Sequence, residues 1–225
     1  MAKILNETLN ADEIMIEGSL QRPAELDLYS DVDMKILLRD NTPINTEVLL
    51  ESVAAEFAPV LGFEVISHLR EDAVRVCLEN GMRFDLVFRY PSDKEPVAED
   101  ESFSCKIYNV VNQFWFFAAM VLVKLGRKDN LIAAHLSLEL CQLLIVIQML
   151  VRDNKKGTAV HRFGDSEIVS APFNLGNDTA DEILAMLLSA AIKMDNELER
   201  LNLGYAKKSG VLNSLALHFL KKTNW

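Results

Sequence analysis

Paired cysteines are missing from this chain. Cys77, Cys105 and Cys141 stand far apart in apolar surroundings, with no Cys-x-x-Cys and no Cys/His grouping. That excludes a disulfide framework and a zinc module of familiar spacing, and predicts buried free thiols in a reducing compartment. Basic residues are also scarce: 23 Lys and Arg face 33 Asp and Glu, a net charge of −10. A general nucleic-acid binder is excluded on that balance, because little positive charge is available to neutralise phosphates; cationic partners remain compatible. Met1-Ala2-Lys3-Ile4-Leu5-Asn6-Glu7 carries no long apolar stretch, so no signal peptide is expected. The most apolar segment, Leu136 to Val151, is interrupted by Glu139 and Gln142 and is shorter than a membrane span, which predicts a buried helix. A soluble, cytoplasmic protein without a membrane partner is the expectation, with a homodimer left open.

What is present is a chain of 225 residues, half of them apolar. That suffices for one large or two small domains with a real core. The two parts differ in period. In the first, Ile14-Met15-Ile16 is a short apolar run before Gly18-Ser19. Val32, Met34, Ile36 and Leu38 alternate with Asp31, Asp33, Lys35 and Leu37, as on a half-buried strand. Thr46 to Phe57 reads as a helix capped by Asn45 or Thr46, with Val48, Leu49, Val53 and Phe57 on its apolar stripe. Gly62 to Leu69 reads as a strand. Val74 to Leu78, Asn80-Gly81 and Met82 to Phe88 predict a hairpin with a type I′ turn. Residues 91 to 102, polar and with two prolines, read as a linker.

Beyond the linker the period is helical. Val110, Phe114, Phe117, Val121 and Leu125 share one face. Leu131, Ala134, Leu138, Cys141 and Ile145 share a second; Ile183, Leu187, Ala191, Met194, Leu198 and Leu201 a third; and Val211 to Leu220 forms a shorter fourth. About four helices follow, with a long connection from Lys155 to Gly176 of the kind that is often functional. The fold class is therefore α+β: a mixed β-sheet with helices over residues 1–92, then a helical bundle over 103–225.

Three pieces of the first part carry chemistry. Gly18-Ser19 follows a strand, where a glycine lets backbone approach a phosphate and a serine adds a hydroxyl; alone, the pair is more often a simple turn. Asp31 and Asp33, two apart on a strand, point to one face and repel unless a cation lies between them. Mg²⁺ suits such a pair, though a solvated strand face also would. Asp85 faces away from Phe84, Leu86 and Phe88 on the strand closing the hairpin. It joins the metal site or takes a proton if that strand lies beside the Asp31 strand, and otherwise pairs with Arg75 or Arg83.

In this order, Gly-Ser after a strand, Ser30-Asp31-Val32-Asp33 opening the next and one later strand Asp resemble the signature of the DNA polymerase beta-like nucleotidyltransferase superfamily. Arg22 sits where many members carry an arginine. The second part, with Asn112-Gln113-Phe114-Trp115-Phe116-Phe117, Lys124-Leu125-Gly126-Arg127, Ala134-His135-Leu136 to Glu139-Leu140 and His161-Arg162-Phe163-Gly164, resembles the helical domain of the aminoglycoside and lincosamide nucleotidyltransferases. The resemblance spans roughly residues 13 to 165. It implies a metal-dependent transfer of NMP from an NTP, with ATP expected, to a hydroxyl of a small-molecule and cationic acceptor, an aminoglycoside- or lincosamide-type antibiotic among them. It also implies Mg²⁺ on Asp31, Asp33 and Asp85, and NTP contacts from Gly18, Ser19 and Arg22. The base is left between Asp85 and Glu139, the latter a lone acid on an apolar helix. Rival readings are the same chemistry on a protein acceptor, as in toxin–antitoxin pairs, and a nucleotide-binding module without catalysis.

Overall fold

The computed structural model describes residues 1–93, 102–157, 179–201 and 204–221. The chain divides into two compact units, Met1–Glu99 and Asp100–Trp225. The first is a five-stranded mixed sheet with two helices, and the second is helical. The class is α+β, as the change of period predicts.

In the first unit, α1 (Ala2–Thr8) leads into β1 (Ala11–Ile16), followed by β2 (Val32–Leu38), α2 (Thr46–Glu56), β3 (Val60–Ser67), β4 (Glu71–Leu78) and β5 (Arg83–Arg89). The sheet order is β1-β2-β5-β4-β3. β2 and β5 run parallel, and the other neighbouring pairs run antiparallel. Alternation explains which face is which. Met34, Ile36 and Leu38 of β2, Phe84, Leu86 and Phe88 of β5, and Val74 and Val76 of β4 form one core with Leu5 of α1 and Leu49, Leu50 and Val53 of α2. The intervening residues of each strand, Asp33, Asp85 and Arg75 among them, must then emerge on the face opposite that core.

Asn45 caps α2, its side chain accepting from the Val48 amide at 3.1 Å. The buried stripe of α2 is Leu49, Leu50 and Val53; Val48, expected on that stripe, is exposed, so the stripe is rotated toward Leu50. The short helix α1 carries too little periodicity to announce itself, yet Leu5 is fully buried. The β4–β5 turn differs from a type I′ hairpin. The Leu78 amide bonds the Met82 carbonyl, and the Gly81 amide bonds the Leu78 carbonyl, each at 2.9 Å. Gly81 has φ +87°, whereas Asn80 has no positive φ. This is a three-residue loop closed by a left-handed glycine, in place of a turn that needs positive φ at two consecutive residues.

The second unit contains α3 (Phe103–Gly126), α4 (Asn130–Lys156), α5 (Ala180–Arg200) and α6 (Ser209–Lys221). Ser102 caps α3, and Thr179 with Glu182 forms a reciprocal capping box on α5. α3 is buried well beyond one stripe: Trp115, Phe114, Phe116, Leu122 and Val123 all lie inside. α4 buries Ala133, Ser137, Leu140, Cys141, Leu144, Ile147 and Val151. Its predicted stripe is therefore rotated, since Leu131 and Leu138 are exposed; so many apolar residues surround α4 that periodicity alone selects the wrong side. The helix also runs well past the apolar run, and by length and composition α3 and α4 could each cross a membrane. The most apolar window of α4 is 33% buried, against 67% for α3, so α4 is less enclosed than its sequence predicts. Lys155 and Lys156 belong to α4, while residues 158–176 of the long connection and 94–101 of the linker lie outside the described residues. Cys77 and Cys141 are buried free thiols as predicted, and burial pushes Cys77 up to about 12; Cys105 is half-buried.

Asp195 of α5 is 2% exposed. It accepts hydrogen bonds from the Tyr205 hydroxyl at 3.0 Å and from the amides of Lys208 and Ser209 at 3.1 and 2.9 Å. One carboxylate thus ties α5 to the loop before α6 and satisfies the start of α6. Asp195→Ala strands these donors and is expected to cost on the order of 2–4 kcal/mol. Asp195→Asn retains acceptor capacity on one oxygen and should lose less. Equal denaturant midpoints for Asp195→Ala and wild type would remove this role.

Candidate functional site

The site grows from the register of β2 on β5. Asp33 pairs with Asp85 across the parallel ladder, and Arg75 of β4 pairs with Asp85 on the other side. Glu64 of β3 pairs in turn with Arg75. At the end of β1 the Glu17 amide donates to the Asp33 carbonyl at 2.9 Å. A transverse row therefore runs Glu17, Asp33, Asp85, Arg75, Glu64 over the sheet. Side chains in register on neighbouring strands lie about 5 Å apart at Cβ, close enough to act on one another.

Asp31 stands one residue before β2 rather than on it. Its approach is fixed by a local knot: the Asp27 carboxylate accepts from the Tyr29 amide and the Ser30 hydroxyl, both at 2.9 Å. Arg83, 4% exposed, donates to the Tyr29 carbonyl and anchors the same segment to β5.

The carboxylates repel each other as anticipated. Asp33 is held above the ordinary range, first by burial and then by the charges of Asp31, Asp85 and Glu17, against a lowering pull from Arg83. Asp85 is also raised, first by burial, with the Arg75 charge opposing and Asp31 adding to the rise. Such groups are stabilised as anions when a cation is supplied.

Gly18 opens a 3-10 turn, Gly18–Gln21, at φ +67°. A Cβ on Gly18 would stand 1.8 Å from Oδ2 of Asp33. The glycine is thus required twice, by its conformation and by the carboxylate pressed against it. The Ser19 hydroxyl oxygen is buried without a hydrogen-bond partner, and so is Oδ1 of Asp85. Oδ2 of Asp85 is engaged by Arg75 Nε at 3.2 Å, so the ion pair that the sequence offers as an alternative exists, but on one oxygen only.

Asp31, Asp33, Asp85, Gly18 and Ser19 therefore belong to one neighbourhood. Arg22 pairs at the surface with Glu25, at 2.9 Å with both side chains more than half exposed. Glu139 is half-buried on α4 of the second unit, and His135 is exposed. His161 and Arg162 lie outside the described residues. Sequence reading names Arg75 and Arg83 merely as possible ion-pair partners. The signal for Arg75 was available: it alternates with Val74 and Val76, so it must share the face of Asp85.

Among the described residues no group of three or more His, Cys, Asp or Glu is gathered tightly enough to cage a metal by itself. Mg²⁺ does not need one, because it is commonly held by one or two carboxylates together with substrate phosphates and water. The bare Oδ1 of Asp85, the bare Ser19 hydroxyl and the Asp33 carboxylate packed against Gly18 fit such a cation and its phosphates.

No protein-family model and no curated protein matches the chain. Among solved structures it is similar to an aminoglycoside 6-adenyltransferase from Bacillus subtilis, at 13% identity over 97% of this chain and 94% of that one, with a TM-score of 0.43. It is also similar to a STING-associated CdnE c-di-GMP synthase from Capnocytophaga granulosa, at 13% identity over 88% and 78% of the two chains, with a TM-score of 0.28.

Proposed function

We propose that this protein is a metal-dependent nucleotidyltransferase that moves a nucleoside monophosphate from an NTP, ATP being the expected donor, to a hydroxyl of a small-molecule acceptor. The observation that carries the reading is the register of β2 on β5, which sets Asp33 beside Asp85, with Asp31 two residues earlier and Gly18 against the Asp33 carboxylate. The Gly-Ser and Ser-Asp-Val-Asp signature supports it from the sequence side. An acidic row suits a cationic acceptor, such as an aminoglycoside- or lincosamide-type compound.

Asp31, Asp33 and Asp85 Oδ1 would hold Mg²⁺, which when bound neutralises the triphosphate and the departing pyrophosphate. Gly18 lets the turn pack directly against the Asp33 carboxylate, and the Ser19 hydroxyl would donate to a phosphate oxygen. The acceptor oxygen forms its bond to the α-phosphorus as the bond to the β-phosphate's bridging oxygen breaks, and that electron pair leaves with pyrophosphate. A carboxylate takes the acceptor's proton. With Oδ2 tied to Arg75, Asp85 has one bare oxygen, so it serves as third ligand or as base, but not both at once. In the first case the proton goes to another group, and Glu139 is the rival acid that the sequence names.

Single-turnover transfer in Asp85→Asn and Glu139→Gln, with NTP and Mg²⁺ binding measured separately, tests the assignment. Asp85 as base predicts a transfer rate about 10²- to 10⁴-fold lower with NTP still bound. Loss in Glu139→Gln alone moves proton removal to α4. Wild-type protein that binds NTP yet releases no pyrophosphate with any acceptor leaves a binding module instead.

A further inference from the structure

The outer half of the transverse row is Arg75 and Glu64. Arg75 is in register with Asp85 on one side and with Glu64 on the other. Its guanidinium reaches both: Nε is 3.2 Å from Asp85 Oδ2, and Nη1 is 3.6 Å from Glu64 Oε2. Glu64 is well buried at its side chain and Asp85 largely so, whereas Arg75 is 42% exposed. Two carboxylates thus hold one arginine in a fixed orientation, and the planar fork of Arg transmits that orientation to Asp85. The result is a carboxylate whose two oxygens differ: Oδ2 is occupied, while Oδ1 is buried and bare.

A buried carboxylate oxygen without a partner is unfavourable and would be relieved by a simple rotation toward a donor. Arg75 opposes that rotation, because turning Asp85 would surrender the charged hydrogen bond on Oδ2. Resting on the nucleotidyltransferase reading, we propose that Arg75 is a positioning residue: it pins Oδ2 of Asp85, with Glu64 as its backstop, so that Oδ1 alone is presented to the reacting groups. The positive charge carries a second consequence. Lying beside Asp85, it weakens the attraction of the acidic row for a divalent cation. Orientation and cation affinity are therefore set against each other in one side chain.

This opposition distinguishes positioning from a merely structural role. The test uses the full chain with Mn²⁺ as the probe ion, its binding followed by the loss of the free-ion paramagnetic resonance signal. It also uses steady-state NTP turnover and thermal melting. Arg75→Gln is expected to bind Mn²⁺ about threefold more tightly, since a nearby like charge has gone. It should lower kcat about tenfold or more through misplacement of Oδ1, with KM for NTP changed less than about threefold. Its melting temperature should stay within about 3 °C of wild type, as a part-exposed ion pair contributes little to stability. Arg75→Lys, which keeps the charge without the fork, should restore wild-type Mn²⁺ affinity but only part of kcat. Arg89→Gln removes an equal charge from the same two strands, where Arg89 pairs with Glu71 at 2.9 Å, and should leave all three readouts unchanged.

Weaker Mn²⁺ binding together with lost turnover in Arg75→Gln would mark a structural residue and overturn the inference. Unchanged kcat would overturn it as well. A wild-type chain without Mn²⁺-dependent turnover instead removes the nucleotidyltransferase reading on which the inference stands, so the two failures are separable by the wild-type control.

Discussion

Asp33→Asn is expected to lose NTP turnover by on the order of 10³-fold while melting at a higher temperature than wild type in metal-free buffer. Both effects have one origin. The Asp33 carboxyl is held above the usual carboxylate value by burial and by the charges of Asp31, Asp85 and Glu17. Its folded form therefore binds the proton more tightly than its unfolded form. Stability is full below the unfolded value and falls as pH rises from there to the folded value, after which the penalty is constant. Asparagine carries no such penalty. The melting difference between variant and wild type should thus open above about pH 4 and close below it. At neutral pH a rise of about 2–4 °C corresponds to roughly 1 kcal/mol in a chain of this length. Added Mg²⁺ should reverse the order, because it binds only the wild-type folded state. Differential scanning across pH, with and without Mg²⁺, reads all of this. A variant less stable than wild type at pH 7 in chelator would show that Asp33 is a structural acid, whatever its activity.

Gly18→Ala should disable the same site by a different route. At φ +67° an added Cβ costs about 1–2 kcal/mol in backbone strain alone. Here it also collides with Oδ2 of Asp33 at 1.8 Å, so the carboxylate or the turn has to move. NTP affinity should fall at least about tenfold, equivalent to about 1.4 kcal/mol, and Gly18→Val should abolish measurable binding. The two causes separate in a double variant. Gly18→Ala with Asp33→Ala relieves the collision but not the strain, so its destabilisation should be less than the sum of the single changes. Calorimetric titration and denaturant unfolding supply both numbers. Strict additivity would mean that the glycine and the carboxylate do not meet in solution.

Much of the first unit is legible in its residues. Val32 to Leu38 alternate so cleanly that strand, core face and the outward placement of Asp33 follow at once. Asp85 follows likewise from Phe84, Leu86 and Phe88. Helix α2 with its Asn45 cap was equally open to reading. The second unit was harder. In α3 and α4 apolar residues occupy several faces, so the period marks a helix without saying which side is buried, and Leu131, inward by its period, is 83% exposed. α1 is a single short helix whose burial depends on partners far along the chain.

By itself the sequence determined the alternation of strands and helices, the face on which Asp33 and Asp85 emerge and the Gly-Ser and Asp-x-Asp spacing, because these are local properties of period two or 3.6. Only the tertiary structure decided that β2 and β5 are neighbours and parallel, since nothing local specifies which strands pair across an intervening α2, β3 and β4. It also decided the partner of Asp85. A two-residue turn at Asn80-Gly81 would set Arg75 opposite Leu86, whereas the observed three-residue loop sets it opposite Asp85. One residue of register moves every side chain to the other face, and here it puts an arginine beside the acid that the proposed chemistry needs held still.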